Sequence, residues 1–449
     1  MKDLTKGKSL SLILGFALPI GIGLLFQLFY SLADTRIVGS YLGEDALAAV
    51  GATQSLNSML IGFLNGLTNG FAIIVARHFG AGKIDKMKRA VGATFVLGIG
   101  IALGLTVVSV AFLFPILKGL QTPSKLIPVS VSYFRVILLG MTTSMLYNLC
   151  SALLRAIGDS VTPLIFLIAS ALLNVGLDIL FVGSFGMGVC GAAIATVIAQ
   201  SLACLASFGY MWKRYEILHF TRMDLHVRWK VAKELLSTGV SMGFMSSLIN
   251  IGSVALQGAI NSLDNANIIV AHTAARKISE MFMLPFTIFG TTMATYCGQN
   301  KGADRPDRVK KGLLQVIVIT WIWCAGVVVA AYTIAPILIR MVTATDQPKI
   351  IETASLYLRV NTILYFVPAV ICILRQGMQG IGDTVTPIIS SSVELLCKVA
   401  VAVFLTPVLG YWAVILSEPI AWIFMVIPLL VQFFRNPFIR RASAGTENG

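Results

Sequence analysis

Apolar residues run along this chain in long blocks, and polar residues gather in short connectors between them. A helix needs about 20 mostly apolar residues to cross the hydrocarbon core of a bilayer. Twelve blocks meet that length, at approximately 10–36, 46–76, 90–117, 126–152, 161–183, 187–212, 233–262, 266–296, 312–340, 350–374, 385–408 and 411–434. The pattern predicts an all-α polytopic membrane protein. Several blocks exceed the minimum, which leaves room for tilt or kinking. The first block begins within "KGKSLSLILGFALPIGIG" and carries no small-residue cleavage pattern, so it reads as the first span rather than a removed signal peptide.

The blocks fall into two similar sets. "RAIGDSVTPLI" (Arg155–Ile165) returns as "QGIGDTVTPII" (Gln379–Ile389), with Gly158 and Gly382 224 residues apart in a chain of 449. "FGAGKIDKMKRA" after the second block is answered by "CGQNKGADRPDRVKKG" after the eighth, Pro115 by Pro336, and "GVCGAAIATVIAQ" by "GYWAVILSEPIAW". The expected organisation is an N-terminal six-helix lobe (1–212), a basic linker (213–232), a C-terminal six-helix lobe (233–436) and a tail (437–449). Six spans per copy means both copies enter the membrane in the same sense. The two bundles would then be related by a pseudo-twofold axis along the membrane normal, with substrate sites between them near the midplane.

Composition agrees with this reading. The chain is 57% hydrophobic and 12% charged, with mean hydropathy +0.85, too little charge to cover a soluble surface. Basic residues mark the cytoplasmic side of a membrane protein. Of 34 Lys and Arg residues, 24 lie in the two termini and alternate connectors, whereas the opposite connectors hold only Arg36, Lys118, Lys125, Arg340 and Lys349. Both termini are therefore expected in the cytoplasm. The asymmetry also accounts for the net charge of +14 without a nucleic-acid partner. Seven scattered cysteines suggest packing rather than disulfides or a metal site.

Acidic residues inside apolar blocks narrow the function. A carboxylate at a helix centre costs about 2.5–3.5 kcal/mol on insertion scales, so it faces a cavity, a partner or a bound ion. Asp34 and Asp178 lack a Lys or Arg at helical neighbour positions; Tyr30 and Gln27 precede Asp34 by one and two turns, and Asn174 precedes Asp178 by one. Thr196 in the next block could complete the cluster. Neutral partners of this kind suit a carboxylate that exchanges a proton or coordinates Na⁺, although Asp34 could also be satisfied at the headgroup level by Arg36 or water. The second copy carries Leu256 and Ala402 at the matching positions. There Glu280 follows Arg276 and Glu394 precedes Lys398 at i,i+4 spacing, which reads as self-neutralising. Glu418, with no basic helical neighbour, is a further, lower-ranked candidate for cation binding. Pro19, fifteen residues before Asp34, is a candidate hinge.

The stretches "LADTRIVGSYLGEDALAAVGAT", "LLRAIGDSVTPLIF", "ALLNVGLDILFV" and "GVCGAAIATVIAQ" resemble the multidrug and toxic compound extrusion (MATE) transporters over nearly the whole chain. The resemblance implies a twelve-helix secondary antiporter that exports amphipathic organic cations in exchange for H⁺ or Na⁺, with two lobes alternating between inward- and outward-open states. It places the coupling cluster on Asp34, Asp178, Asn174, Tyr30 and Thr196. One branch of the family adds a glutamate in the seventh helix; "MGFMSSLINIGSVALQGAI" has none, which favours coupling through the first lobe. The drug would meet a cavity lined by residues such as Gln54, Asn57, Met59, Met141, Asn148, Asn250, Gln257, Met281 and Gln379. No cofactor or obligate protein partner is expected beyond the coupling ion, the organic cation and the bilayer. A lipid-linked polysaccharide flippase shares the architecture but would need a basic cavity lining. A membrane enzyme would need a nucleophile–base or metal set, and neither HExxH nor GxSxG occurs.

Overall fold

The computed structural model describes residues 2–119, 122–343 and 345–444; the last five residues of the expected tail lie outside these. Regular structure among the described residues is helical. In the first half it comprises α1 (Ser9–Gly80), α2 (Ile84–Gly119), α3 (Ile127–Leu139), α4 (Met141–Ala156), α5 (Val161–Asp178) and α6 (Gly188–Arg214). The second half comprises α7 (Trp229–Asn261), α8 (Ala266–Gly302), α9 (Pro306–Thr333), α10 (Ala335–Thr343), α11 (Pro348–Ile363), α12 (Phe366–Ile381), α13 (Val385–Ala400), α14 (Thr406–Leu409), α15 (Tyr411–Arg435) and α16 (Pro437–Ala444).

Among the described residues, eight helices are long and apolar enough to cross a membrane, and the bent pairs α3–α4 (46°) and α11–α12 (58°) add two more. Two further spans are less obvious. α1 holds two, divided at Gly43 (φ 81°, ψ −175°), a conformation that glycine adopts without a Cβ penalty. α8 is 37 residues long but more polar than the others. The protein is thus a twelve-helix membrane bundle. Pro19 lies inside α1, and the non-helical residue of that helix is Gly43 rather than the candidate hinge.

The chain packs as two compact units: unit 1 is Met1–Asp3 with Gly15–Gly243, and unit 2 is Leu4–Leu14 with Phe244–Gly449. These limits differ from the linker-based division at 213–232, and close packing explains why. In unit 1, Gly66 and Gly70 of α1 meet Gly239 and Gly243 of α7. A Cβ on Gly70 would stand 2.5 Å from Cα of Gly239, and one on Gly66 would stand 2.5 Å from the Met242 carbonyl oxygen. Such small-xxx-small pairs let two membrane helices approach backbone to backbone. They fasten the first half of α7 to unit 1, well beyond the linker. Unit 2 binds the N-terminal segment by hydrogen bonds. The Leu4 amide donates to Gln299 Oε1 at 2.9 Å, Arg308 donates to the carbonyls of Gly7 at 2.7 Å and Leu4 at 3.1 Å, and Tyr296 donates to Ser9 Oγ at 2.8 Å. Leu4 and Ile13 join the core of Phe286, Tyr296, Tyr365 and Trp422. The expected tail begins as α16, whose Phe438 and Ile439 enter the same core, with Arg441 paired to Asp304 at 2.6 Å.

The repeated "GD(S/T)VTP" phrase is a helix-start device. Gly158 and Gly382 take left-handed φ values of 83° and 104°. The aspartate that follows each then caps the next helix. Asp159 accepts from the amides of Val161 (3.2 Å) and Thr162 (3.0 Å) and from the Thr162 hydroxyl (2.6 Å). Asp383 repeats this with Val385 (3.1 Å) and Thr386 (3.0 and 2.7 Å). Both helices end alike, in a π-helical turn, at Ile179–Ser184 after α5 and Val401–Leu405 after α13. π-turns recur at functional sites because the extra residue re-aims the side chains around it.

Two stability measurements test this packing. Gly70→Leu should lower stability by about 1–3 kcal/mol in thermal unfolding of the detergent-solubilised protein. Gly104→Leu, at a position where an added Cβ would meet nothing within 4 Å, should be nearly neutral. Asp159→Ala should cost about 1 kcal/mol, the usual worth of a helix cap. Burial pushes the Asp159 pKa up, but hydrogen bonds from Thr162 and Tyr215 outweigh it and hold the carboxyl below its ordinary value. Its contribution is therefore present at neutral pH and lost as the pH falls through that depressed pKa. Equal acid sensitivity in Asp159→Ala and the unmodified protein would refute the assignment.

Candidate functional site

Three helices of unit 1 assemble the acidic cluster. Tyr30 and Asp34 stand one turn apart on α1, Asn174 and Asp178 one turn apart on α5, and Thr196 faces them from α6. The Tyr30 hydroxyl donates to Asn174 Oδ1, and Asn174 Nδ2 reaches Thr196 Oγ1 at 3.5 Å. The amide is thereby held from both ends. Asn174 and Asp178 are buried, Asp178 completely (0% exposed), while Asp34 is half-buried.

Neither oxygen of Asp178 receives a hydrogen bond from a conventional donor. The carboxyl of Asp34 lies close enough to interact electrostatically with it. Among the described residues no Lys or Arg forms an ion pair with either aspartate. Tyr133 of α3 lies close enough to both carboxyls to interact electrostatically. No spacing along the chain points to Tyr133, because it comes from another helix, α3, and reaches the cluster by tertiary packing. The assembled donors are oxygens of carboxyl, amide, hydroxyl and phenol groups. That hard set suits a proton or an alkali cation better than a soft transition metal.

Beside this cluster, unit 1 encloses a cavity of about 130 Å³ lined by Gln27, Tyr30, Asn65, Ser144, Tyr147, Asn148, Ser170, Asn174, Thr196 and Gln200, with apolar Ile61, Leu64, Leu167, Ala171 and Ala199. Ser144 donates to Gln200. Asn148 and Gln27 are among the residues expected from the sequence. Asn65, Ser144, Tyr147, Ser170 and Gln200 are not, although Ser144 and Asn148, Ser170 and Asn174, and Thr196 and Gln200 share helix faces at i,i+4 spacing. Other expected lining residues sit elsewhere. Met141 is 5% exposed inside the apolar core of unit 1. Gln54 is exposed, and Asn57 and Met59 are half-buried away from this cavity.

Unit 2 has its own cavity, of about 330 Å³, lined by Ser253, Leu256, Gln257, Ile260, His272, Thr273, Arg276, Lys277, Glu280 and Glu418. Gln257 lines it and donates to Asn261 at 3.0 Å, whereas Asn250 bonds its own helix at Ser246 (2.9 Å). Met281 is 56% exposed, and Gln379 is buried with its amide 3.5 Å from Met245 Sδ. The expectation of a lone Glu418 is corrected by tertiary packing: Glu418 pairs with Arg276 of α8 and lies 3.7 Å from Lys398 of α13. Lys398 and Glu394 do pair, at 2.8 Å, and Arg375 approaches Glu394 at 3.7 Å. Arg276 also reaches Glu280, at 3.6 Å, but that carboxylate is 68% exposed.

Comparison with known proteins places the chain in a family. The "Probable multidrug resistance protein YpnP" of Bacillus subtilis (strain 168) is 29% identical over 309 residues, 68% of either chain. The "Probable multidrug resistance protein YoeA" of the same organism is 28% identical over 386 residues, 84% of this chain and 82% of that one. A solved structure described as "Crystal structure of MATE in the bent conformation" superposes with a TM-score of 0.89 at 21% identity, covering 99% of this chain and 98% of that chain, a likeness of fold. Residues 19–180 and 241–404 both match the MatE family, so each half carries the family unit. The chain belongs to the MATE family of membrane transporters.

Proposed function

We propose that this chain is a secondary active multidrug efflux antiporter, exporting lipophilic organic cations in exchange for H⁺ or Na⁺ through Asp34 and Asp178. One observation carries the reading: Asp178 is fully buried, has no basic partner among the described residues, and lies close enough to the Asp34 carboxyl to interact with it electrostatically. Leaving two such groups bare and ionised in a low-dielectric interior is costly. The pair therefore titrates as a unit and holds a proton or a small cation for much of the cycle. Once that ion leaves, the negative charge attracts an organic cation; when an ion returns from the outer side, the attraction is lost and the drug is released. Tyr30 and Thr196 are positioning residues, fixing the amide of Asn174 beside the carboxyls.

The relatives named for multidrug resistance support export of drugs. The cavity of unit 1 has amide, hydroxyl and phenol groups but no Lys or Arg in its lining, which suits a cation and disfavours the anionic substrate of a flippase. The clustering of basic residues in the termini and alternate connectors supports cytoplasmic placement of both ends.

Replacing Asp178 with Asn should separate function from folding. Efflux of a fluorescent organic cation from proteoliposomes, driven by an imposed H⁺ or Na⁺ gradient, should be abolished. Thermal stability should stay level or rise by up to about 1–4 kcal/mol, because an uncompensated buried acid has been removed. In the unmodified protein, efflux at fixed membrane potential should accelerate as the coupling ion is raised on the outer side, and in Asp34→Asn that dependence should flatten. Wild-type, gradient-dependent efflux from Asp178→Asn would rule the assignment out.

A further inference from the structure

The two halves of the repeat place charge differently at matching positions. At the 224-residue offset, Ser170 and Asn174 of α5 correspond to Glu394 and Lys398 of α13, and Asp178 corresponds to Ala402. At the 222-residue offset, Thr196 corresponds to Glu418 and Asp34 to Leu256. Three neutral positions around the first cluster are thus charged in unit 2, while its two acidic positions are apolar.

The result in unit 2 is a row of alternating charge across four helices: Arg375, Glu394, Lys398, Glu418, Arg276. It begins and ends with a cation, three bases against two acids. Four of its members are nearly sealed, at 4–8% exposed. Arg276 is the open end, with its side chain 28% exposed in the wall of the 330 Å³ cavity. The rim adds one charge of each sign, Lys277 and Glu280, both exposed. Glu280 sits 3.6 Å from Arg276; Lys277 forms no ion pair among the described residues. Counting the rim leaves the surplus unchanged at one positive charge. His272, held at 3.3 Å from the Tyr411 hydroxyl, and Tyr357 and Tyr365 are the other titratable groups facing Arg276 and Glu418.

A surplus cation in a low-dielectric wall is stabilised most by an anion placed against it. The guanidinium offers a planar fork matched to a carboxylate or phosphate. Gln257 keeps a second amide N–H beyond the one given to Asn261, the hydroxyls of Ser253 and Thr273 donate to carbonyls of their own helices, and Leu256 and Ile260 supply an apolar wall. We propose that the unit 2 cavity is a binding site for the oxyanion group of a small amphiphilic organic acid, held by Arg276 and Lys277, with the Glu280 carboxylate as a weak internal competitor at the rim. This site is separate from the Asp34–Asp178 pair and does not depend on its role.

Two exposed positions test it without endangering the fold. Binding of fluorescein, a fluorescent aryl carboxylate, to the purified full-length protein would be followed by anisotropy at fixed ionic strength. Glu280→Gln should tighten binding about two- to fivefold and Lys277→Gln should weaken it by a similar factor, the range of a single solvent-exposed ion pair. Asp178→Asn should leave fluorescein affinity unchanged even though it abolishes cation efflux, so the two assignments fail independently. Repeating the titration in nanodiscs of zwitterionic and of anionic phospholipid identifies the source of the anion: competition by anionic lipid that Lys277→Gln relieves assigns the same site to a lipid headgroup. Absence of fluorescein binding in zwitterionic nanodiscs, or affinities that ignore both rim substitutions or shift in the opposite sense, would overturn the proposal.

Discussion

A charge enclosed by helices in a membrane must be neutralised from inside the protein, because neither lipid nor water is there to do it. Much of this molecule follows from two answers to that constraint. In unit 1, Asp34 and Asp178 face each other with neutral hydrogen-bonding neighbours and no base. In unit 2, each buried carboxylate lies between basic side chains of neighbouring helices. In the second arrangement, each buried carboxylate is neutralised by basic groups that cannot leave. The same repeated helix pair thus carries a carboxyl without an ion pair among the described residues in one copy and an ion-paired carboxylate in the other.

The scaffold beneath both clusters is shared in detail. A left-handed glycine, a capping aspartate and a closing π-turn bracket α5 and α13 alike. Such a frame fixes where residues at a given register stand, and the side chains written on it decide the chemistry. Asn174 lies one turn before its π-turn and is held by Tyr30 and Thr196; Lys398 occupies the matching register and is held by Glu394 and Glu418. Because the backbone device is duplicated and the charges are not, the difference in charge between the copies lies in the side chains set on it.

What can be read from the sequence divides along the same line. Spans are legible because lipid demands long apolar runs, and the repeat is legible because a left-handed glycine followed by a cap tolerates few substitutions. Local pairs are legible too: Glu394–Lys398, four residues apart, is a real bond of 2.8 Å. Partners set by tertiary packing are not. Arg276 reads as the partner of Glu280, yet its buried partner Glu418 is 142 residues away. Tyr133 joins the acidic cluster from a further helix, α3, through packing that no spacing along the chain reveals. The glycines of α1 and α7 look like ordinary membrane-helix residues until the two helices are seen to touch.

That last contact bears on how the halves of the chain are divided. Had the linker at 213–232 been the only joint, each half would have packed on its own residues. Instead the first half of α7 belongs to unit 1 through glycine contacts, and Leu4–Leu14 belongs to unit 2 through hydrogen bonds to Gln299, Asn300 and Arg308. The chain passes from one unit to the other between Asp3 and Leu4, ahead of α1, and twice more inside continuous helices, near Gly15 in α1 and after Gly243 in α7. A helix transmits torsion and displacement along its axis far better than a flexible connector does, since every residue in it is held by the i→i−4 ladder. In α1 the stretch after Gly15 leads directly to Tyr30 and Asp34, so the helix that joins the units also carries half of the acidic pair.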